Sequence, residues 1–254
     1  MPTVGDILQY VESLAPLALK MEWDNVGLLC GSRSTPVTKV LVALDPFEHV
    51  CQEAADWSAE LVVTHHPLIF RPLNAITDET SVGRGILTLC RHGISAINAH
   101  TNLDCAEGGV NDVLARKLGL SDIAVLPQEG LLRCGLVSEQ TLENFLSHVK
   151  NALGCPGLRY ADGGKPVRKV AVGGGSCADE MLQALDAGCD TFVTADIKYN
   201  QFWAAHDLGL NLIDAGHFCT ENPVIPVIAA KIAEKFPDIQ VKISESHTDC
   251  MKFY

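Results

Sequence analysis

The chain has 254 residues, of which 47% are apolar, 20% charged and 6% aromatic. That length allows one large domain or two small ones, and the apolar share suits a packed globule rather than a disordered chain. Its 19 basic and 31 acidic residues give a formal charge of −12. With no Lys/Arg stripe to offset that acidity, nucleic acid gripped through its phosphates is not an expected partner.

The opening segment, MPTVGDILQYVESLA, lacks a basic stretch leading into an apolar one, so no secretory leader is expected. Apolar runs such as 224–233 fall short of the roughly 20 residues that cross a bilayer, and no membrane association is expected. The chain has ten cysteines. None sits in a Cys-x-x-Cys pair, which argues against a ribbon-type zinc site or a thioredoxin-like motif and fits reduced thiols in a cytoplasmic protein.

In chain order, Thr3 to Ala15 predicts a first helix. Thr3 and Asp6 make an approximate capping box, and Val4, Ile7, Leu8, Val11 and Leu14 share one face. The segment WDNVGLLCGS, from Trp23 to Ser32, is dense in turn formers. Residues 39–44 then pattern a buried strand, 51–59 a helix, 61–64 a strand, 81–91 a helix, 94–98 a strand and 110–118 a helix. The second half repeats the theme, with strands at 169–172, 191–194 and 210–214 and helices at 179–187, 198–208 and 223–235. The Gly/Pro-rich stretch 155–166 reads as a loop. This alternation predicts an α/β fold of two similar halves, with largely parallel sheets flanked by helices. The halves are placed at residues 1–125 and 126–254.

The segments KVLVALDPFEHVCQEAADWSAELVVTHH and KVAVGGGSCADEMLQALDAGCDTFVTAD, from Lys39 and Lys169, share strand, helix and strand almost in register. A period this long predicts duplication of a domain rather than a solenoid, whose repeats run about 20–50 residues. In this pairing His65 and His66 stand opposite Ala195 and Asp196, and NAHT at Asn98 falls near DAGH at Asp214.

Ligands of open α/β sheets collect beyond the C-terminal ends of strands. After 61–64 come His65, His66 and Pro67; after 94–98 come His100 and Asp104; after 210–214 come Asp214, His217 and Glu221. Each piece alone is weak. Adjacent histidines on an extended strand point to opposite sides, so His65 and His66 suit two neighbouring ions, or one ion at a kinked strand end. His217 and Glu221 are spaced i, i+4 at a helix start and share a face. His100 and Asp104 have the same spacing on what reads as a loop. Imidazoles with carboxylates suit divalent Zn, Fe, Mn, Co or Ni rather than Ca or Mg. A pair of such ions polarises a substrate oxygen and generates hydroxide near neutral pH, and Glu221 is well placed to bridge them.

A competing constellation is Gly174-Gly175-Ser176-Cys177-Ala178, between a strand and a helix. It approaches the nucleophile elbow of α/β hydrolases, with Ala in place of the last Gly. A His-Asp partner pair could be nominated from the residues above, but that fold wants its triad in the order Ser, acid, His along one sheet, with an oxyanion loop upstream. A tight turn that lets backbone approach a ligand is the favoured reading. Cys105 and Cys219 flank the proposed ligands and read as ordinary buried cysteines. His49, His92, His148, His206 and His247 show no partner spacing and read as surface or core residues. Tyr199, Phe202, Trp203 and His206 form a helical stripe that suits packing or a subunit contact.

The motifs WDNVGLLCG from Trp23, THHP from Thr64, AHTNLD from Ala99, GGGS from Gly173 and DAGHFCTE from Asp214 run across almost the whole chain. Together they resemble the dinuclear-metal-centre proteins related to yeast NGG-interacting factor three, the type-2 GTP cyclohydrolase I homologues, in the short form without a middle insertion. The resemblance implies two similar α/β halves and a homohexameric toroid. It also implies two divalent transition-metal ions per chain, held by His65, His66, Asp104, His217 and Glu221, with Glu221 touching both. By the same match His100 stands nearby, to steady the site or move a proton. The sequence departs from the relatives at Ala195 and Asn200, where many read Gly and His; none of the five ligand positions is lost. The expected function is metal-dependent hydrolysis of a nucleotide or similar small molecule. The alternative is a non-catalytic, metal-containing ring that serves as a scaffold or interaction factor.

Overall fold

The computed structural model describes residues 1–127 and 130–254. In chain order the elements are α1 (Val4–Leu14), β1 (Gly27–Cys30), β2 (Lys39–Ala43), α2 (Glu48–Asp56), β3 (Leu61–Thr64), α3 (Ser81–His92), β4 (Ser95–Asn98) and α4 (Thr101–Cys105). They continue with α5 (Val110–Lys117), β5 (Ser121–Val125), β6 (Arg133–Gln140), α6 (Leu142–Leu153), β7 (Arg159–Ala161), β8 (Val167–Val172) and α7 (Met181–Asp186). The last are β9 (Thr191–Thr194), α8 (Tyr199–Asp207), β10 (Asn211–Asp214), α9 (His217–Glu221), α10 (Val224–Lys235) and β11 (Gln240–Ile243).

These elements form two compact units. The first comprises residues 1–106 and 225–248, the second 107–224 and 249–254. The division is therefore not the linear one at 125/126: the chain leaves the first unit before α5 and returns to it with α10 and β11. The reason is strand pairing, because β11 completes the first sheet alongside β2.

In the first unit the sheet order is β1-β4-β3-β2-β11. Four strands are parallel and β1 pairs antiparallel with β4 at one edge. The central strands β2, β3 and β4 are buried on both faces, as parallel strands with helices on each side must be. Leu41, Ala43, Val62 and Ala96 pack with Val50, Cys51 and Ala54 of α2 and Ile86 and Leu89 of α3. Val42 and Val63, one residue out of step, face Val11 of α1 and Ile225 and Ile228 of α10. Helix α1 starts as expected, with Thr3 and Asp6 making a reciprocal capping box and Val4, Ile7, Leu8 and Val11 buried.

In the second unit the order is β5-β6-β8-β9-β10-β7. Only β8, β9 and β10 run parallel; β5, β6 and β7 add antiparallel edges. Alternation again divides the faces: Val170, Val172, Val193 and Ile213 join one core, and Ala171, Phe192 and Leu212 the other. The stretch 155–166, expected to be loop, contains β7, which pairs with β10.

The expected duplication is visible in hydrogen bonds as well as in element order. The Glu60 carboxylate accepts from the backbone N–H groups of Thr38 and Lys39, and Asp190 accepts from Arg168 and Lys169 in the same way. The Lys39 ammonium donates to the Trp57 carbonyl, and Lys169 donates to that of Ala187. Each half then closes with a short helix, α4 or α9, immediately after its last parallel strand. Among the described residues no helix is long and apolar enough to cross a membrane.

Candidate metal centre

The strand ends of the first unit deliver its candidate residues. β3 ends at Thr64, whose hydroxyl donates to the His66 carbonyl at 2.6 Å, while the His66 N–H donates to the Leu44 carbonyl at 2.9 Å. These bonds turn the chain out of the strand, so the two imidazoles do not splay to opposite faces: their ring centroids are 4.9 Å apart. His100 follows β4 and caps α4, with ring centroids 5.2 Å from His65 and 5.4 Å from His66. One ligating nitrogen from each of the three rings lies within 4.8 Å of the others. Asp104, on α4 rather than on the expected loop, places Oδ1 3.6 Å from His65 Nε2.

Each of these rings is oriented through its other nitrogen. His65 Nδ1 donates to the Ala99 carbonyl at 2.9 Å, His66 Nδ1 to Asp45 at 2.7 Å and His100 Nδ1 to Asp24 at 2.8 Å. A carbonyl or carboxylate oxygen only accepts, so each of these rings carries a proton on Nδ1. This is how proteins hold metal-ligating histidines.

The two carboxylates are themselves fixed. Asp24 also accepts from the Thr101 N–H and hydroxyl. Burial would raise its carboxyl, but the bonds from His100 and Thr101 outweigh that and hold it down to about 2. Asp45 accepts on its second oxygen from His247 Nε2 at 2.8 Å. Burial again works against its charge, and the two imidazoles hold it well below the usual carboxylate range.

In the second unit α9 sets His217 and Glu221 one turn apart, with Nε2 and Oε2 at 3.0 Å. His217 Nδ1 donates to Asp196 at 2.7 Å. Burial would lower the imidazole's pKa, but the flanking Asp196 and Glu221 carboxylates raise it to about 10.

The Gly173–Ser176 turn serves the same carboxylate. Gly175 has φ +64°, and a side chain there would overlap Glu221 Oε1. The Gly174 N–H donates to Asn111 and the Gly175 N–H to Thr220. The turn therefore brings backbone close to the Glu221 side chain. The Cys177 thiol donates back to the Gly174 carbonyl.

The structure thus groups His65, His66 and His100 with Asp104 in one unit and His217 with Glu221 in the other. Four residues that hold these side chains, directly or through one another, stand outside the sequence expectations: Asp24, Asp45, Asp196 and His247. Asp45 follows the end of the first parallel strand, so the strand-end rule that found His65 also points to it. Asp196 is the residue paired with His66 in the repeat. His247, read as an ordinary histidine, has no local signal, because its partner lies about two hundred residues away in sequence. The donor set fits a borderline transition metal: imidazoles oriented by oxygen acceptors beside buried carboxylates.

Two α/β units with imidazole-lined strand ends define a class of candidate metalloproteins. A model of the Duf34/NIF3 (NGG1p interacting factor 3) family matches residues 2–250, and the chain belongs to that family. A Clostridium perfringens relative named "GTP cyclohydrolase 1 type 2 homolog" is 36% identical over 259 residues, covering 98% of this chain and 99% of its own. A Lactococcus lactis relative of the same name is also 36% identical, with 99% and 98% covered. These end-to-end matches place the chain in the short form. The crystal structure of a Bacillus cereus protein related to NIF3 superposes with a TM-score of 0.94 at 28% identity, covering 100% of this chain and 99% of the other.

Proposed function

We propose that this chain is a dinuclear metal-dependent hydrolase acting on a nucleotide or a similar small molecule. His65, His66, Asp104, His217 and Glu221 would hold two divalent transition-metal ions per chain. The observation that carries the reading is the convergence of the imidazoles. His65, His66 and His100 each commit Nδ1 to a backbone or carboxylate oxygen, and one ligating atom from each ring lies within 4.8 Å of the others.

Bound metal would supply Lewis acidity and bring the pKa of water toward neutrality. The rest falls to the chain itself. Asp24, ionised and buried, holds the His100 ring in one orientation, so that Nε2 can take up and return a proton. Asp45 and Asp196 steady the ligands His66 and His217. Gly175, without a side chain, lets Glu221 lie against the backbone. The names of the relatives support a guanine nucleotide as the first substrate to try, and their family resemblance supports a homohexamer. The ten cysteines, all free thiols, support a cytoplasmic location.

The test is turnover by the metal-loaded protein on GTP and on a panel of phosphoesters and amides. His100→Ala should lower kcat by roughly 100-fold or more while metal content holds. No turnover of any substrate with zinc, manganese or iron would reject catalysis.

A further inference from the structure

Beside the three imidazoles of the first unit stand two large side chains that the core does not use. Trp23 is 62% exposed and Phe70 47%. Their rings meet edge to face at 5.8 Å, and each also meets the His100 ring edge to face, at 6.2 Å and 6.1 Å. Exposed aromatic pairs are ordinarily free to swing, but this one is fastened from behind.

The Asn25 amide donates to the Ile69 carbonyl at 2.6 Å, joining the segment that carries Trp23 to the one that carries Phe70. Asp24, between Trp23 and Asn25, is 7% exposed and accepts from His100 and Thr101. The Lys20 ammonium donates to the Asp24 carbonyl at 3.1 Å. These bonds hold the two segments that carry the rings beside His100, although the rings themselves add little to the core. Ordering two exposed aromatics in this way costs conformational entropy, which a ligand would recover by finding its surface already formed.

We propose that Trp23 and Phe70 form a stacking subsite for a flat heteroaromatic ring of the nucleobase class, beside the His65, His66 and His100 imidazoles. The proposal rests on the reading of this site as a small-molecule hydrolase and assigns the residues that would hold the base of its substrate. The chemistry selects the class. A net charge of −12 does not favour recruiting an anionic group by the charge of the chain, and a contact indifferent to charge suits this surface. Stacking of a base on an aromatic side chain is such a contact, and it holds the ring while its reacting atom faces the imidazoles.

The experiment is calorimetric binding of guanosine to the protein as purified and after zinc loading, with ribose 5-phosphate as the control lacking a base. Metal content and assembly mass are measured on the same samples, for the native chain and for Trp23→Ala, Trp23→Phe and Phe70→Ala. The expected result is guanosine binding weakened roughly tenfold or more by either alanine variant and largely kept by Trp23→Phe, with metal content and assembly mass unchanged. Guanosine binding that is absent from the native chain, or equal in Trp23→Ala, overturns the subsite. So does a Trp23→Ala chain that loses metal, which makes the role structural, or one that changes assembly mass, which makes the pair a contact with a second copy. Trp23-dependent guanosine binding by a chain that takes up no metal would keep the subsite and reject the metal reading instead.

Discussion

His66 and Asp45 are joined by a 2.7 Å hydrogen bond from Nδ1 to Oδ1, and the other oxygen of Asp45 holds His247. A residue near the end of the chain thus steadies, through one carboxylate, an imidazole just beyond β3. Asp45→Ala removes the acceptor that fixes the His66 tautomer. Metal affinity should fall about 10- to 100-fold with the fold intact, measured by competition with a chelator and by circular dichroism. His247→Ala should have a smaller effect in the same direction, because Asp45 keeps its bond to His66.

Gly175→Ala combines two penalties. The residue sits at φ +64°, and its new methyl would overlap the Glu221 carboxylate. The left-handed backbone alone costs about 1–2 kcal/mol, and Glu221 must also move. The variant should show a lowered denaturation midpoint and reduced metal content together. Lost stability with full metal content would mean that the turn is structural only.

Acid sensitivity has a source outside the candidate ligands. Glu53 on α2 accepts from the Ser244 and Ser246 hydroxyls and from the backbone N–H groups of Glu245 and Ser246. Burial would raise its carboxyl, but those donors lower it to about 2, from an ordinary 4.5. A depressed carboxyl stabilises the fold above its unfolded pKa, and that contribution is lost as pH falls through the folded one. Stability from Glu53 should therefore be complete above about pH 4.5 and fade toward pH 2. In denaturation series at several pH values, Glu53→Gln should be destabilised near neutrality and should converge with the native chain as the acid limb is descended. A constant difference at every pH would contradict this.

The paired anchors Glu60 and Asp190 each hold two backbone N–H groups at the start of a parallel strand. Glu60→Ala and Asp190→Ala should each cost about 1–3 kcal/mol in denaturant unfolding. Similar losses are expected because the two sites are copies of one arrangement.

The repeated strand–helix–strand was legible because its strands are continuous apolar runs and its helices carry apolar spacing on one face. The edges were not. β1 is four residues long, contains Gly27 at φ +107° and shifts register between Leu28 and Cys30, so its turn formers conceal a strand. β5 is largely exposed and shows no alternation. β11, Gln-Val-Lys-Ile, is half polar and becomes a strand through its pairing with β2. α4 has only five residues, too few for helical periodicity. By contrast α6 carried readable signals, with Thr141 as its cap and Gly154 at its end. The candidate histidines stood out because strand ends concentrate function. Asp24 and His247 did not, since a residue that acts by orienting another is defined by a distant partner and has no spacing of its own.

The most direct measurement is metal content per chain, on protein purified without a histidine tag and again after exposure to zinc, manganese and iron. About two transition-metal ions per native chain, with loss in Glu221→Ala and in His65→Ala, is the predicted result. A well-folded native chain that takes up none of these ions would contradict the account at its centre.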